Sequence, residues 1–197
     1  AALSLGISAT GNVDLGLVAR PFLQSFAEEH GLIVTMGVRD GLEVRALGYT
    51  SAAIYEQDDA PPGVRMMLGA RVPLALSANG HALLAGMPLQ ERVQVFQGLE
   101  EQAQGNWNNV RRRIEFSIAE VAREGYCSSL REWDGTVNSA AVPLNFSRSG
   151  IPLALSCAGS VQDVPEARIR NMLGPALVDL TAEIRKAFEA QSGPIAI

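Results

Sequence analysis

Apolar residues recur at three-to-four spacing through Leu15, Val18, Ala19, Phe22 and Phe26, which predicts a helix capped by Asn12 or Asp14 and closed by His30-Gly31. Pro21 inside it predicts a kink or an early restart. The period then changes to two. Ile33 to Val38 is β-prone, Asp40-Gly41 supplies a turn with positive φ, and Leu42, Val44 and Ala46 alternate on the return strand. Asp58 to Gly63 reads as a loop with Pro61-Pro62, and Val64 to Leu68 as another short strand.

Pro73 to Ser77 leads into a short helix carrying Ala82, Leu83, Leu84 and Ala85, and Pro88 restarts a second through Val93 and Phe96. Gln97 to Asn109 reads as a polar loop containing Trp107. Val110, Ile114, Ile118, Val121 and Ala122 form the stripe of a further helix ended by Gly125. Tyr126 begins a β region, in which Ala140 to Phe146 and Ile151 to Cys157 are strands joined by the hairpin Ser147-Arg148-Ser149-Gly150. Asp163 with Glu166 predicts a capped start for a long final helix bearing Ile169, Met172, Leu173, Leu177, Leu180, Ile184 and Phe188, bent at Gly174-Pro175.

Hairpins imply antiparallel pairing, so the order helix, hairpin, strand, helices, hairpin, helix predicts an α+β fold and not a doubly wound parallel sheet. No internal repeat and no strong linker divides the chain. Residues 1–13 read as a linker remnant, 14–190 as one domain, and 191–197 as a tail.

Composition narrows the function classes. The chain has 197 residues, 47% hydrophobic and 19% charged, enough for a substantial core and too apolar for wholesale disorder. Its formal net charge of −5 makes it a poor partner for a polyanion, since DNA is held largely by lysine and arginine on phosphates. The basic run Arg111-Arg112-Arg113 opens an amphipathic stretch and reads as a solvated helix face. Cys127 and Cys157 match no metal spacing and sit in apolar strand contexts, as buried free thiols do. No signal segment and no apolar run of membrane-spanning length is present, which makes a cytoplasmic location without membrane partners the expectation.

The strongest local chemistry is the turn Ser77-Ala78-Asn79-Gly80 at a helix start. Free backbone amides and the positive end of the helix dipole suit an anion there, while Ser77 as a plain N-cap and Gly80 as a close-packing residue explain the same residues structurally. Ser77 and His81 are four apart on one helix, which keeps a serine hydrolase open, yet no carboxylate stands near them. The chain has no G-x-S-x-G elbow, H-E-x-x-H, P-loop or dinucleotide fingerprint, and two histidines cannot build a histidine-rich metal site. Neither a cofactor nor a metal is expected.

Three blocks in order resemble the effector-binding domain of the isocitrate lyase regulator (IclR) family. The first is Leu17-Val18-Ala19-Arg20-Pro21-Phe22-Leu23 with Glu28, Glu29 and Gly31; the second is Gly69-Ala70-Arg71-Val72-Pro73-Leu74 with Ser77, Gly80 and Ala82 to Ala85. The third is Glu124-Gly125-Tyr126 with Glu132, Ala141, Val142, Pro143, Gly150 and Ala154-Leu155-Ser156. The resemblance implies a GAF/PAS-like central antiparallel sheet flanked by helices on both sides, with a ligand cavity on one face. It also implies a homodimer or tetramer, and a winged helix-turn-helix that would precede this domain and supply all DNA contact.

Carried over by position, the resemblance places a small carboxylate or aromatic acid on the amides of Ala78 and Asn79, between Ser77 and Gly80. It points Ser129, Val137, Ser139, Ser156 and Ala158 into the cavity, with Met66 (or Val64) and Val72 as apolar walls. Family members that bind carboxylates carry aspartate and serine where Ser129 and Ala158 stand, so a larger or more apolar effector is expected here, because an unpartnered polar ligand group costs roughly 1–3 kcal/mol. The same alignment puts His81 on the helix's outer, solvated side. Trp107 and Trp133 are read as lids, oligomer contacts or loop anchors, and Arg65 as a surface-paired arginine or a partner for an acidic effector. A small-molecule sensor controlling DNA binding is the leading function. A free-standing GAF-like sensor or interaction domain is the alternative.

Overall fold

The structure is a computed structural model that describes residues 15–52, 71–146 and 152–191. The chain opens with helix α1 (Leu15–His30) and the hairpin β1 (Ile33–Asp40) and β2 (Glu43–Ser51), then β3 (Arg71–Pro73). Three helices follow: α2 (Ala78–Gly86), α3 (Leu89–Gln102) and α4 (Trp107–Glu124). Strands β4 (Cys127–Leu130), β5 (Val137–Leu144) and β6 (Leu153–Ser160) lead to a short helix α5 (Glu166–Arg168), a π-helical turn (Ile169–Leu173) and α6 (Gly174–Gln191).

The six strands form one sheet in the order β3-β2-β1-β6-β5-β4, antiparallel at every pairing. This is the α+β architecture that the hairpin signals predict. Gly41 turns the first hairpin at φ +67°, a conformation that glycine adopts without a Cβ clash. The turn between β5 and β6 and the strand expected at Val64 to Leu68 lie outside the described residues.

Side-chain alternation divides the sheet into two apolar faces. Val34, Met36, Val38, Ala140, Val142, Leu153, Leu155 and Cys157 meet α1 and α6. Val44, Val72, Cys127, Ala141 and Ala154 meet α2, α3 and α4 on the other side. Helices therefore cover both faces, as expected. Cys127 and Cys157 are free and fully buried, and burial raises both thiols, Cys157 to about 12.

Local details depart from the sequence reading. The loop predicted at Gln97 to Asn109 is mostly helix: α3 runs to Gln102, and Trp107 opens α4, packed edge-on against Phe96 at 5.5 Å. Asp163 does not cap the final helix. It accepts a hydrogen bond from Ser160 Oγ, and Pro165 stands at the N-cap instead. Gly174 follows a π-helical turn, and a Cβ there would come within 2.3 Å of the Tyr126 ring, so the glycine serves close packing. Arg111 and Arg112 are solvated, whereas Arg113 turns inward.

Candidate functional site

The sheet face beneath α2 carries a row of small residues. Alternation and register align Ser129 of β4, Ser139 of β5 and Ala158 of β6 across three strands, with Ser156 two residues along. Small side chains leave space where larger ones would fill it. A cavity of about 30 Å³ lies between this row and the start of α2. Its walls are Val72, Ser77, Ala78, Asn79, Trp133, Val137, Ser139, Ser156 and Ala158.

Of the effector-binding residues expected from the resemblance, eight therefore line the cavity. Gly80 does not line the cavity. It packs where a Cβ would approach the Leu74 carbonyl oxygen to 2.0 Å, which fixes α2 against the preceding turn. Ser129 lies on the same row but donates to the Leu76 carbonyl at 3.4 Å. Met66, Val64 and Arg65 lie outside the described residues. Trp133, weighed among several roles in the sequence, stands on the cavity wall. The signal for it is a tryptophan in a short polar connection between two strands.

Ser77 is the N-cap of α2. Its Oγ accepts from the Gly80 amide at 3.1 Å and donates to the Pro73 carbonyl at 2.9 Å. The amides of Ala78 and Asn79, in the first turn, meet no acceptor among the described residues, and both residues face the cavity. Asn79 donates from Nδ2 to Ser156 Oγ at 3.0 Å, while its buried Oδ1 has no partner among the described residues.

His81 is the main correction. It is fully buried, and not on a solvated outer face. Its Nε2 lies 2.9 Å from the Ala75 carbonyl and its Nδ1 2.9 Å from Ser117 Oγ, while Ser77 is bonded elsewhere. The imidazole thus activates no hydroxyl at the cavity, and the Ser77–His81 pairing does not form. Burial, opposed by the Ala75 carbonyl and reinforced by the Arg113 charge, lowers its pKa to about 4, so it is neutral.

Arg113 continues this chain of contacts. It donates to Ser117 Oγ at 2.7 Å, to the Ser128 carbonyl at 2.5 Å and to Glu132 Oε1 at 2.5 Å, with Glu120 Oε2 at 3.8 Å. Glu132 precedes Trp133, so the arginine also ties down the cavity's tryptophan-bearing connection. The Glu120 carboxyl is raised above its ordinary value by burial, against the pull of Arg113.

A larger cleft of about 420 Å³ lies on the opposite face between α1 and β2, with Arg20 as the cation among its lining residues. No described residues form a group of three or more candidate metal ligands, and no described helix is long and apolar enough to cross a membrane.

Comparison with known proteins places this geometry. The family described as bacterial transcriptional regulator IclR, C-terminal, matches residues 7–185. The chain is 32% identical over 197 residues to the HTH-type transcriptional regulator TsaQ1/TsaQ2 of Comamonas testosteroni, covering 98% of this chain and 68% of that protein. It is 25% identical over 189 residues to the Pca operon regulatory protein of Acinetobacter baylyi, covering 89% and 63% respectively. An IclR family regulator from Brucella abortus superimposes with a TM-score of 0.81 at 30% identity, over 94% of this chain and 67% of that one. The inducer-binding domain of a PobR double mutant from Acinetobacter, in complex with 3-hydroxybenzoic acid, shares the fold at a TM-score of 0.69 and 20% identity, over 88% of this chain and 98% of that one. The chain belongs to the IclR family of bacterial transcription regulators and carries its C-terminal, effector-binding domain.

Proposed function

We propose that the cavity between α2 and the sheet receives a small organic carboxylate, held by the Ala78 and Asn79 amides and walled by Val72, Trp133, Val137, Ser139, Ser156 and Ala158. The observation that carries this reading is the pair of first-turn amides without acceptors among the described residues, on two residues that line the cavity. Such amides, with the helix dipole behind them, are suited to a carboxylate. The bound 3-hydroxybenzoic acid in the PobR inducer-binding domain supports an acid as the ligand class.

In the whole regulator, binding would act on DNA through a separate DNA-binding domain and through assembly into a homodimer or tetramer. For a ligand to do this it must bind one conformation or assembly more tightly than the other. The location is that of a bacterial regulator working in the cytoplasm. The enzyme reading has no support at this site, because His81 faces Ser117 and Ala75 and not Ser77.

Thermal-shift measurements of this domain against small carboxylates, hydroxy-acids and aromatic acids test the reading, since a ligand of the native state raises Tm with concentration. Ala158→Phe, which fills the cavity, is expected to abolish the shift. Arg20→Ala, in the open cleft, is expected to leave it intact. The reverse pattern moves the site to the cleft between α1 and β2.

A further inference from the structure

Asn79 raises a question that the amides alone do not answer, because its side chain is held firmly yet left incomplete. It lies over Gly37, where a Cβ would come within 3.0 Å of Nδ2 and 2.7 Å of a Val44 methyl, so only glycine on β1 leaves room for it. Nδ2 donates to Ser156 Oγ at 3.0 Å, and Ser156 Oγ in turn points its own hydrogen to the Thr35 carbonyl at 3.5 Å. With the serine hydrogen directed to the backbone, its oxygen is left to accept, and this sets the orientation of the amide. The consequence is that Oδ1 is the end without a partner among the described residues, and Asn79 as a whole is only 4% exposed.

A buried acceptor without a donor costs free energy that a ligand can restore. The same residue lines the cavity and its backbone N–H has no acceptor among the described residues, so a donor group next to a carboxylate could meet Oδ1 while the carboxylate meets the amides. The cavity's 30 Å³ is room for about two waters, which restricts an acid to the smallest skeletons and requires the walls to yield on binding. Building on the effector reading, we infer that Asn79 Oδ1 selects a compact hydroxy-carboxylate, whose hydroxyl donates to that oxygen while its carboxylate takes the amides of Ala78 and Asn79. This departs from the larger or more apolar effector expected from Ser129 and Ala158, because the acceptor comes from the helix and not from the strands.

The test uses three acids of one carbon skeleton. Lactate (each enantiomer) offers a hydroxyl, pyruvate offers only an acceptor in its place, and propionate offers neither. Isothermal titration on this domain is expected to give one lactate enantiomer an affinity about tenfold above both other acids, as one additional satisfied hydrogen bond provides. In Asn79→Ala that preference should shrink to about twofold. Propionate or pyruvate binding as tightly as lactate overturns the inference, as does a lactate preference that survives Asn79→Ala. Binding by none of the three acids overturns the compact hydroxy-acid class. Ala158→Phe separates the two levels: if it leaves lactate binding unchanged, the ligand lies outside the cavity and the effector site itself is misplaced. The wild-type ranking stands as a test even if Asn79→Ala folds poorly.

Discussion

The imidazole of His81 on α2 and the hydroxyl of Ser117 on α4 meet at 2.9 Å, at a point where neither residue is exposed to solvent. The donors run in one direction: Arg113 to Ser117, Ser117 to Nδ1 of His81, and Nε2 to the Ala75 carbonyl. One end of this chain is the charged pair Arg113–Glu132 beside Trp133, and the other is the turn that leads into Ser77. Both walls of the cavity are thus tied to α4 by the same buried contacts.

The neutral state of His81 gives a pH prediction. Its folded pKa of about 4 lies below the ordinary 6.5, chiefly because burial opposes the charged form. Between those values the unfolded chain takes up a proton that the folded chain refuses, so stability is complete above about pH 6.5 and falls as pH drops toward about 4. The loss from this group is about 3 kcal/mol. Urea unfolding at steps between pH 7.5 and 4 should show this decline, and His81→Gln should flatten it. Equal pH slopes in the two proteins would refute a buried neutral imidazole.

Removing the Arg113 head should be costly. Arg113→Met leaves Glu132 unpaired and takes the nearest positive charge from Glu120, which is buried to 4% exposure. Breaking a largely buried pair from one side costs about 3 kcal/mol at the lower end of the usual range, which is appropriate here because Arg113 keeps partial exposure. The double variant Arg113→Met/Glu132→Gln should recover part of that loss. Chemical denaturation reads both, and a single-variant loss under about 0.5 kcal/mol would show that the pair is solvated like an ordinary surface bridge.

Two glycines should respond to alanine in different ways. At Gly80 the new Cβ would stand 2.0 Å from a backbone oxygen that cannot move aside, so Gly80→Ala should cost about 3 kcal/mol or more. At Gly41 nothing lies within 4 Å, and only the positive φ resists substitution, at about 1 kcal/mol. Thermal unfolding of the two variants gives the order directly; equal losses would mean that the turn before α2 can shift.

Ser77→Ala should remove the cap of α2 and cost about 1 kcal/mol, since the Gly80 amide loses its acceptor. The cavity walls are otherwise untouched. A loss near zero in denaturant unfolding would show that water replaces the hydroxyl, which would mean that the cavity is wetter than its apolar walls suggest.

Local order in the sequence is what specified the architecture. The hairpin at Asp40-Gly41, the left-handed Gly125 that ends α4 at φ +83° and the three-to-four stripes of α1 and α4 depend on neighbours a few residues apart, and each forms where the pattern puts it. The short polar stretches misled for the same reason. Gln97 to Asn109 is polar because α3 and the start of α4 are largely solvated, not because they are a loop.

The lining of the candidate cavity was legible as positions. Val72, Ser77, Ala78, Asn79, Val137, Ser139, Ser156 and Ala158 meet there because strand alternation and the turn into α2 fix which side they face. What the sequence could not determine is what each side chain does on arrival. His81 sits on a helix whose every residue from Ala78 to Leu84 is buried, so no amphipathic period marks an outer side for it. Its neutrality comes chiefly from burial, reinforced by the charge of Arg113, 32 positions along the chain on α4, where Ser117, 36 positions along, meets its Nδ1. The unpaired oxygen of Asn79 likewise arises only when Ser156, 77 residues away, takes the other end of the amide. Periodicity and turn chemistry are short-range and can be read along the chain, whereas desolvation and hydrogen-bond completion depend on which distant groups share a buried space, and that is settled only when the sheet and its helices close over one another.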